Sequence, residues 1–248
     1  MAISDMSDQK SKSHGSAVIV GGARGIGLAA VRLAASRVGS MTVLDLPQEA
    51  PQVQEAFPGA QYLRADVLDV ESLEKGFALA AGRGPVTSVF VPAGITLSTP
   101  LLEVDQADAQ RCLMINIMGS VNSIQAATPH LALDASIVLC ASVAAYTGGG
   151  YLGGPIYGAS KAAVISLTKG AARELAPRKI RVNCVAPGTT ATGMIGDDAA
   201  LHATFVERSL LGRLADPEDI AEAALYLWSS ASSFMTGAVL DVNGGIRL

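Results

Sequence analysis

Ser16-Ala17-Val18-Ile19-Val20-Gly21-Gly22-Ala23-Arg24-Gly25-Ile26-Gly27 is the stretch on which the reading of the fold turns. Its first five residues form a short apolar run of the kind that suits a strand buried on both faces. A glycine-rich turn follows at once, and Leu28 to Val38 is rich in alanine and leucine with helical periodicity. Strand, glycine turn and helix make the first half of a βαβ unit. Glycines let the backbone approach a pyrophosphate, and the helix N-terminus offers N–H groups and the positive end of a dipole. The spacing is G-x-x-x-G-x-G, over Gly21, Gly25 and Gly27, rather than G-x-G-x-x-G.

Working outward, a second strand from Met41 to Leu44 ends in Asp45, 18 residues beyond Gly27. A carboxylate there can accept hydrogen bonds from both hydroxyls of an adenosine ribose and repels a 2′-phosphate. Alternatively it is a solvated loop aspartate before Pro47. Arg24 pulls toward a phosphate, but a carboxylate set against a phosphate dianion costs more than an exposed arginine returns. The alternation then continues. Pro51 to Phe57 reads as a short helix, Ala60 to Arg64 as a strand, Val70 to Ala81 as an amphipathic helix and Val86 to Val91 as a strand. Asp66 follows the third strand, where it could receive an adenine amino group or cap the next helix. Asp105 to Leu131 reads as one long helix carrying Asn116, a polar residue among apolar neighbours that is otherwise a satisfied core amide. Ala135 to Ala141 is a fifth strand, with Ser142 at its carboxyl end. Ile180 to Ala186 is a sixth, Asp216-Pro217 opens a helix running to about Ser229, and Ala238 to Val242 closes the pattern. Seven strands alternating with helices predict an α/β fold: a Rossmann-type, doubly wound, seven-stranded parallel sheet flanked by helices. Residues 16–248 form a single domain behind a disordered tail, 1–15.

Between the fifth and sixth strands lies Tyr157-Gly158-Ala159-Ser160-Lys161, on a helix from Tyr157 to Ala176 ended by Pro177. Spacing i, i+4 puts Tyr157 and Lys161 on one helical face, roughly 5–6 Å apart at Cβ. An ammonium there favours the phenolate, and a phenol so poised is a usable general acid and base. The same spacing also describes a surface tyrosine lying over a lysine stem.

Composition bounds the rest. The chain has 248 residues, 50% of them hydrophobic and 16% charged, which implies a large buried core. A net charge of −4 without a basic cluster argues against a nucleic-acid partner. Cys112, Cys140 and Cys184 read as buried free thiols of a reducing compartment. His14, His130 and His202 show no ligand spacing, so no metal site is expected. No apolar run reaches the ~18 residues of a membrane span. The polar start has no signal-peptide pattern, so a cytoplasmic location is expected.

Together, Gly21-x-x-x-Gly25-Ile26-Gly27, Asp66-Val67, Asn116, Ser142, Tyr157-x-x-x-Lys161, Pro187-Gly188 and Gly244-Gly245 resemble the short-chain dehydrogenase/reductase family in its single-domain branch, over about Ser16 to Leu248. The resemblance implies a nicotinamide cofactor and hydride transfer at a carbonyl or secondary alcohol. Tyr157 would be the acid/base. Lys161 would assist it and hold the nicotinamide ribose, Ser142 would bond the substrate oxygen, and Asn116 would fix a proton-relaying water. The cofactor would lie against Gly21, Arg24, Gly25, Ile26, Gly27, Asp45, Leu46, Asp66, Val67, Ala93, Gly94, Tyr157, Lys161, Pro187, Gly188, Thr190 and Thr192. The resemblance also implies a homotetramer. Apolar Leu113, Ile117, Ala163 and Leu167, on two helices, are candidates for burial between subunits.

Three departures from the family pattern stand out. Val20 replaces the usual threonine, and Val91-Pro92-Ala93-Gly94 replaces Asn-Asn-Ala-Gly, so side-chain ties between strands are lost. Ser142 and Tyr157 are 15 residues apart, about two more than usual, with the surplus in a glycine-rich stretch from Gly148 to Gly154 that reads as a mobile loop.

The expected function is an NAD-dependent oxidoreductase that interconverts a secondary alcohol and its ketone. The residues expected to face substrate are Ile95, Val143, Ala144, Tyr151, Leu152, Met194, Ile195, Leu201 and Phe205. With no arginine or lysine among them, they favour a compact, largely apolar alcohol, cyclic ones included, over a carboxylate or CoA-type anion. The stretch Thr189 to Leu214 reads as a lid. One rival is an NADPH-dependent carbonyl reductase, favoured by Arg24. A second is a non-catalytic dinucleotide-binding protein, which the presence of Ser142, Tyr157 and Lys161 opposes. A third is a sugar-nucleotide epimerase of the extended branch, which needs a further substrate domain, and only about 60 residues follow Pro187.

Overall fold

The computed structural model describes residues 13–149, 153–193 and 199–247. Seven parallel strands lie in the order β3-β2-β1-β4-β5-β6-β7. They are β1 Ser13–Val20, β2 Val38–Asp45, β3 Gln61–Arg64, β4 Val86–Val91, β5 Leu131–Cys140, β6 Arg181–Pro187 and β7 Val239–Val242. The helices between them are α1 Gly25–Ala34, α2 Pro51–Ala56, α3 Val70–Ala81, α4 Gln106–Leu113, α5 Gly119–Ala127, α6 Ala144–Thr147, α7 Pro155–Leu175, α8 Ala199–Arg208 and α9 Pro217–Trp228.

The strand run Ala17-Val18-Ile19-Val20 explains the layering, since it is buried on both faces. Val18 and Val20 enter one apolar cluster with Leu73 and Phe77 of α3, Ile124 of α5 and Val164 of α7. Ala17 and Ile19 enter another with Ala30 of α1, Val53 of α2 and Ile220 of α9. Alternate residues of one strand therefore serve opposite helix layers. The chain leaves β1 toward β2 and β3 on one side and returns to β4 on the other. The crevice at the carboxyl ends of β1 and β4 is the switch point where open α/β sheets take ligands.

The helix predicted over Val70–Ala81 and the strand over Val86–Val91 are present with those limits. Elsewhere the structure shifts boundaries. β1 begins at Ser13, inside the stretch assigned to the tail, because Ser13 pairs with Val38 of β2. Residues 1–12 of that tail lie outside the described residues. α1 ends at Ala34 and β2 begins at Val38, where strand pairing outweighs the helical periodicity of the sequence. The single helix expected from Asp105 to Leu131 is three pieces: α4, a π-helical turn over Met114–Met118, and α5. A short 3₁₀ turn, Thr128–His130, then leads straight into β5 at Leu131. The cap of α3 is Asp69, which accepts from the Ser72 N–H, rather than Asp66. The long stretch from Thr189 contains α8 and a strand-like bridge from Thr190 to Ala215.

Where the two side-chain ties are missing, backbone bonds still join the strands. The Ala93 N–H donates to the Val20 carbonyl (3.1 Å), and the Gly21 N–H to Leu44 (2.7 Å), so β1 is held to both neighbours beyond its last residue.

Candidate active site

The glycine turn is shaped by space as well as by dihedral angle. Gly21 has φ +93°, and a Cβ there would stand 2.7 Å from the Ala93 backbone. At Gly27 a Cβ would run into the Gly21 carbonyl oxygen, so α1 can begin this close to β1 only with glycine. Arg24, the residue before α1, makes no side-chain cap, and the first turn holds no acidic residue. The N–H groups of Gly25, Ile26 and Gly27 therefore face an uncapped helix start, a ready seat for a phosphate.

Asp45 closes this corner. Its Oδ2 accepts the Ala23 N–H and its Oδ1 the Leu46 N–H, each at 2.8 Å. The carboxylate is thereby anchored on the turn, with a lone pair free on each oxygen. Its field is felt at Tyr62, whose phenol is pushed up to about 12, by burial first and by Asp45 second. Leu46 is half exposed beside it. Arg64, the strand partner of Asp45, adds a cation at this corner that the sequence reading missed. Neither Arg64 nor exposed Arg24 is ion-paired among the described residues. Asp66 Oδ1 accepts the Leu68 N–H in a local turn (2.9 Å). Val67 is locked against α5, since Asn122 donates to its carbonyl (2.9 Å) and Gly119 leaves room for its side chain.

On the other side of the crevice, the Pro187 carbonyl accepts from Val143 (2.8 Å) and the Gly188 N–H donates to Val242 (2.9 Å). Buried Thr190 bonds the Gly188 carbonyl, and the Thr192 methyl carbon would stand 3.3 Å from a Cβ on Gly25. The segment after β6 thus reaches back over the glycine turn. All the residues assigned to the cofactor by resemblance gather along the carboxyl edge of the sheet.

The reactive side chains lie between these two sides. Tyr157 and Lys161 are on the first turns of α7, and the Lys161 Nζ is 5.9 Å from the Tyr157 ring centroid. Lys161 is buried, and its ammonium donates to the Cys140 carbonyl (2.8 Å) at the end of β5. A Cβ on Gly94 would meet that ammonium at 3.2 Å and the Asn116 Oδ1 at 3.0 Å, so a side chain at Gly94 would crowd both. Buried Ser142 follows β5, and its Oγ accepts from the Ala144 N–H (3.1 Å).

Asn116 is fully engaged. Its amide donates to Ile95 O (3.0 Å) and Ser160 Oγ (2.9 Å), and its Oδ1 accepts from Ile95 N (2.9 Å). The side chain behaves as a satisfied core amide, and it sits within the π turn that interrupts the expected long helix. Ser160, inside the Tyr-Lys motif but given no role from sequence, takes the Asn116 bond and donates to the Tyr157 carbonyl (2.7 Å). It links the π turn to α7, and no sequence signal distinguishes it from any small helical residue.

Of the residues expected to face substrate, Ile95 and Val143 are half-buried, and Ala144 and Phe205 are buried. Tyr151, Leu152, Met194 and Ile195 lie outside the described residues, as does the side chain of Leu201. Burial raises all three cysteine thiols, Cys184 to about 12, which leaves them poor nucleophiles. Among the described residues no cluster of metal-ligating side chains exists, and no helix is long and apolar enough to cross a membrane.

A family model described as enoyl-(acyl carrier protein) reductase matches residues 21–247. A short-chain type dehydrogenase/reductase of Sinorhizobium fredii is 38% identical over 245 residues, covering 94% of this chain and 97% of that one. Cis-4-hydroxycyclohexanecarboxylate dehydrogenase of Sinomonas cyclohexanicum is 37% identical over 238 residues, covering 92% and 95%. A solved structure from Brucella melitensis, a short-chain dehydrogenase/reductase described as glucose/ribitol dehydrogenase, superposes with a TM-score of 0.90 at 33% identity, over 96% and 98% of the two chains.

Proposed function

The chain belongs to the short-chain dehydrogenase/reductase family, and from that premise we propose that it is an NAD-dependent enzyme interconverting a secondary alcohol and its ketone. The observation that carries this reading is the fixed ammonium of Lys161, tied to Cys140 O at 2.8 Å and 5.9 Å from the Tyr157 ring. The Tyr157 hydroxyl has no partner among the described residues, so it is open to a substrate oxygen. In oxidation, the alcohol proton passes to the Tyr157 oxygen while the carbinol C–H leaves as hydride and the C=O forms. Ser142 donates to the substrate oxygen, opposing charge as it develops. Lys161 stabilises the phenolate that accepts the proton. Asn116 holds Ile95 and, through Ser160, the first turn of α7. A bound nicotinamide supplies the hydride acceptor. Gly21, Arg24, Gly25, Ile26 and Gly27 would hold its phosphates, Asp45 and Leu46 the adenosine ribose, Asp66 and Val67 the adenine. Ala93, Gly94, Pro187, Gly188, Thr190 and Thr192 would enclose the nicotinamide end.

The described substrate-facing residues are apolar, which supports a compact, largely apolar alcohol. By name, the Sinomonas relative acts on a hydroxylated cyclohexane ring, which supports a cyclic one. A spectrophotometric screen with NAD at alkaline pH tests the reading. Cyclohexanol, open-chain secondary alcohols and cis-4-hydroxycyclohexanecarboxylate are compared. Reduction of NAD by the uncharged ring alcohol is expected, and turnover of the carboxylate alone would overturn the apolar substrate class. An NADP-dependent reductase is the second reading, favoured by unpaired Arg24 and Arg64. Running the same panel with both cofactors separates the two.

A further inference from the structure

The stretch that lengthens the path from Ser142 to Tyr157 ends in two glycines, Gly153 and Gly154, immediately before α7. Neither adopts a positive φ, and Gly154 is plain extended backbone (φ −69°, ψ −179°). Glycine is needed here for room. A Cβ on Gly153 would stand 2.9 Å from Cε1 and 3.0 Å from Cγ of the Tyr157 ring, with Cδ1 closer still. Three ring atoms block it at once, so the whole ring has to move. The backbone of Tyr157 cannot follow, because Ser160 bonds its carbonyl, and Lys161 cannot follow, because Cys140 holds its ammonium.

Gly154 meets a different partner. Its N–H donates to Leu97 O (2.6 Å). A Cβ there would be 3.1 Å from that oxygen and 3.2 Å from the Ser98 carbonyl carbon, with the Thr99 oxygen nearer. The three nearest atoms in its way are all main chain of the loop after β4. Gly149 returns onto the pair: its Cβ would stand 2.8 Å from Gly154 C, and Gly158 in turn faces Gly149 N (2.7 Å) and Ala144 O (2.8 Å). Four glycines thus let three segments meet backbone to backbone: the turn behind Ser142, the loop 95–99 and the start of α7.

We propose that Gly153 and Gly154 are positioning residues with separate tasks, Gly153 setting the Tyr157 ring against Lys161 and Gly154 fastening the substrate-side loop 95–99 to α7. The assignment of tasks rests on the alcohol dehydrogenase reading, whereas the contact between Gly153 and the ring does not. Gly153→Ala lowers kcat about 10- to 100-fold, the cost of misplacing a reacting group by about an ångström, and leaves KM for the alcohol within about twofold. Gly154→Ala raises that KM at least about fivefold and leaves kcat within about threefold. Gly170→Ala, inside α7 where a Cβ meets nothing within 4 Å, leaves both unchanged. If both site variants change kcat and KM in the same proportion, the division of tasks is overturned.

Two readouts need no turnover. The first is the near-ultraviolet circular dichroism of the Tyr157 ring, isolated by subtracting the Tyr157→Phe spectrum. That band changes in Gly153→Ala and stays in Gly170→Ala, and an unchanged band overturns the role of Gly153. The second is a stability cycle: Gly153→Ala destabilises the parent but not Tyr157→Ala, where the ring is gone. Equal cost in both backgrounds overturns the proposal, even if the single variant folds poorly. A changed band in a protein that oxidises no alcohol keeps the positioning claim and rejects the reaction.

Discussion

At the residue scale, the tyrosine oxygen and the lysine ammonium are expected to separate under mutation. Tyr157→Phe removes only the acid/base oxygen, so turnover falls nearly to zero while NADH still binds. Retention of a tenth of the rate or more would exclude Tyr157 as the acid/base. Lys161→Ala is expected to lose both, because the role proposed for the ammonium includes both the phenolate and the ribose. NADH fluorescence titration beside kcat makes the distinction. Asp45 is expected to set cofactor choice. At an effective dielectric of about 20, one pair of unit charges ~4 Å apart repels by about 4 kcal/mol. With screening, and with the Ala23 and Leu46 N–H groups already on the carboxylate, roughly 1–3 kcal/mol survives against a 2′-phosphate. That is a preference for NAD of about ten- to a few-hundred-fold at ~1.4 kcal/mol per decade. Arg24 and Arg64 offset part of it. Asp45→Ser is expected to bring the kcat/KM values for NAD and NADP together. Equal values in the parent protein would mean that the arginines decide.

At the element scale, α9 is fastened to the sheet through the sole tryptophan. Trp228 Nε1 donates to Val89 O (3.0 Å), and its ring meets Phe90 edge-on at 6.4 Å and 84°. Phe90 is fully buried. Phe90→Ala leaves a cavity between β4 and α9 and is expected to cost about 3–5 kcal/mol, read from urea unfolding followed by Trp228 fluorescence. Cys184 of β6 couples the sheet to pH. Its thiol is raised from 9.0 to about 12, so the folded state favours the neutral form. The stabilisation is complete below pH 9, where the unfolded thiol also stays protonated, and is lost as pH rises toward about 12. Cys184→Val is expected to flatten the alkaline limb of the stability curve, and a limb of unchanged steepness would assign it to other groups.

At the scale of the whole molecule, apolar surface remains uncovered. Leu113, Ile117, Ala163 and Leu167 are only half-buried, and beside them Met114 is 46% and Met118 37% exposed. Two helices presenting such residues together favour assembly through them. We expect a homotetramer in solution, checked by light scattering, and a stable monomer at micromolar concentration would contradict it. Met114→Glu and Met118→Glu are expected to shift the distribution toward smaller species without loss of helix content.

Local chemistry in the chain was enough to determine the alternation of strands and helices, the glycine turn at Gly21–Gly27, Asp45 at the end of β2 and the shared helical face of Tyr157 and Lys161. These follow from period, from glycine's missing side chain and from spacing along one helix, so sequence carries them. The rest depends on contacts between segments far apart in the chain. The π turn at Met114–Met118 is the clearest case: the run around Asn116 has helical character throughout, and the break is accompanied by bonds to Ile95 and Ser160, 21 and 44 residues away. The end of α1 at Ala34 was likewise settled by pairing between Ser13 and Val38. Val20 and Pro92 remove side-chain ties, yet the Ala93 N–H bonds the Val20 carbonyl, and backbone bonds between strands leave no mark on side-chain identity. Gly153 and Gly154, read from sequence as part of a mobile loop, owe their place to an aromatic ring and a loop backbone that only the folded chain brings against them.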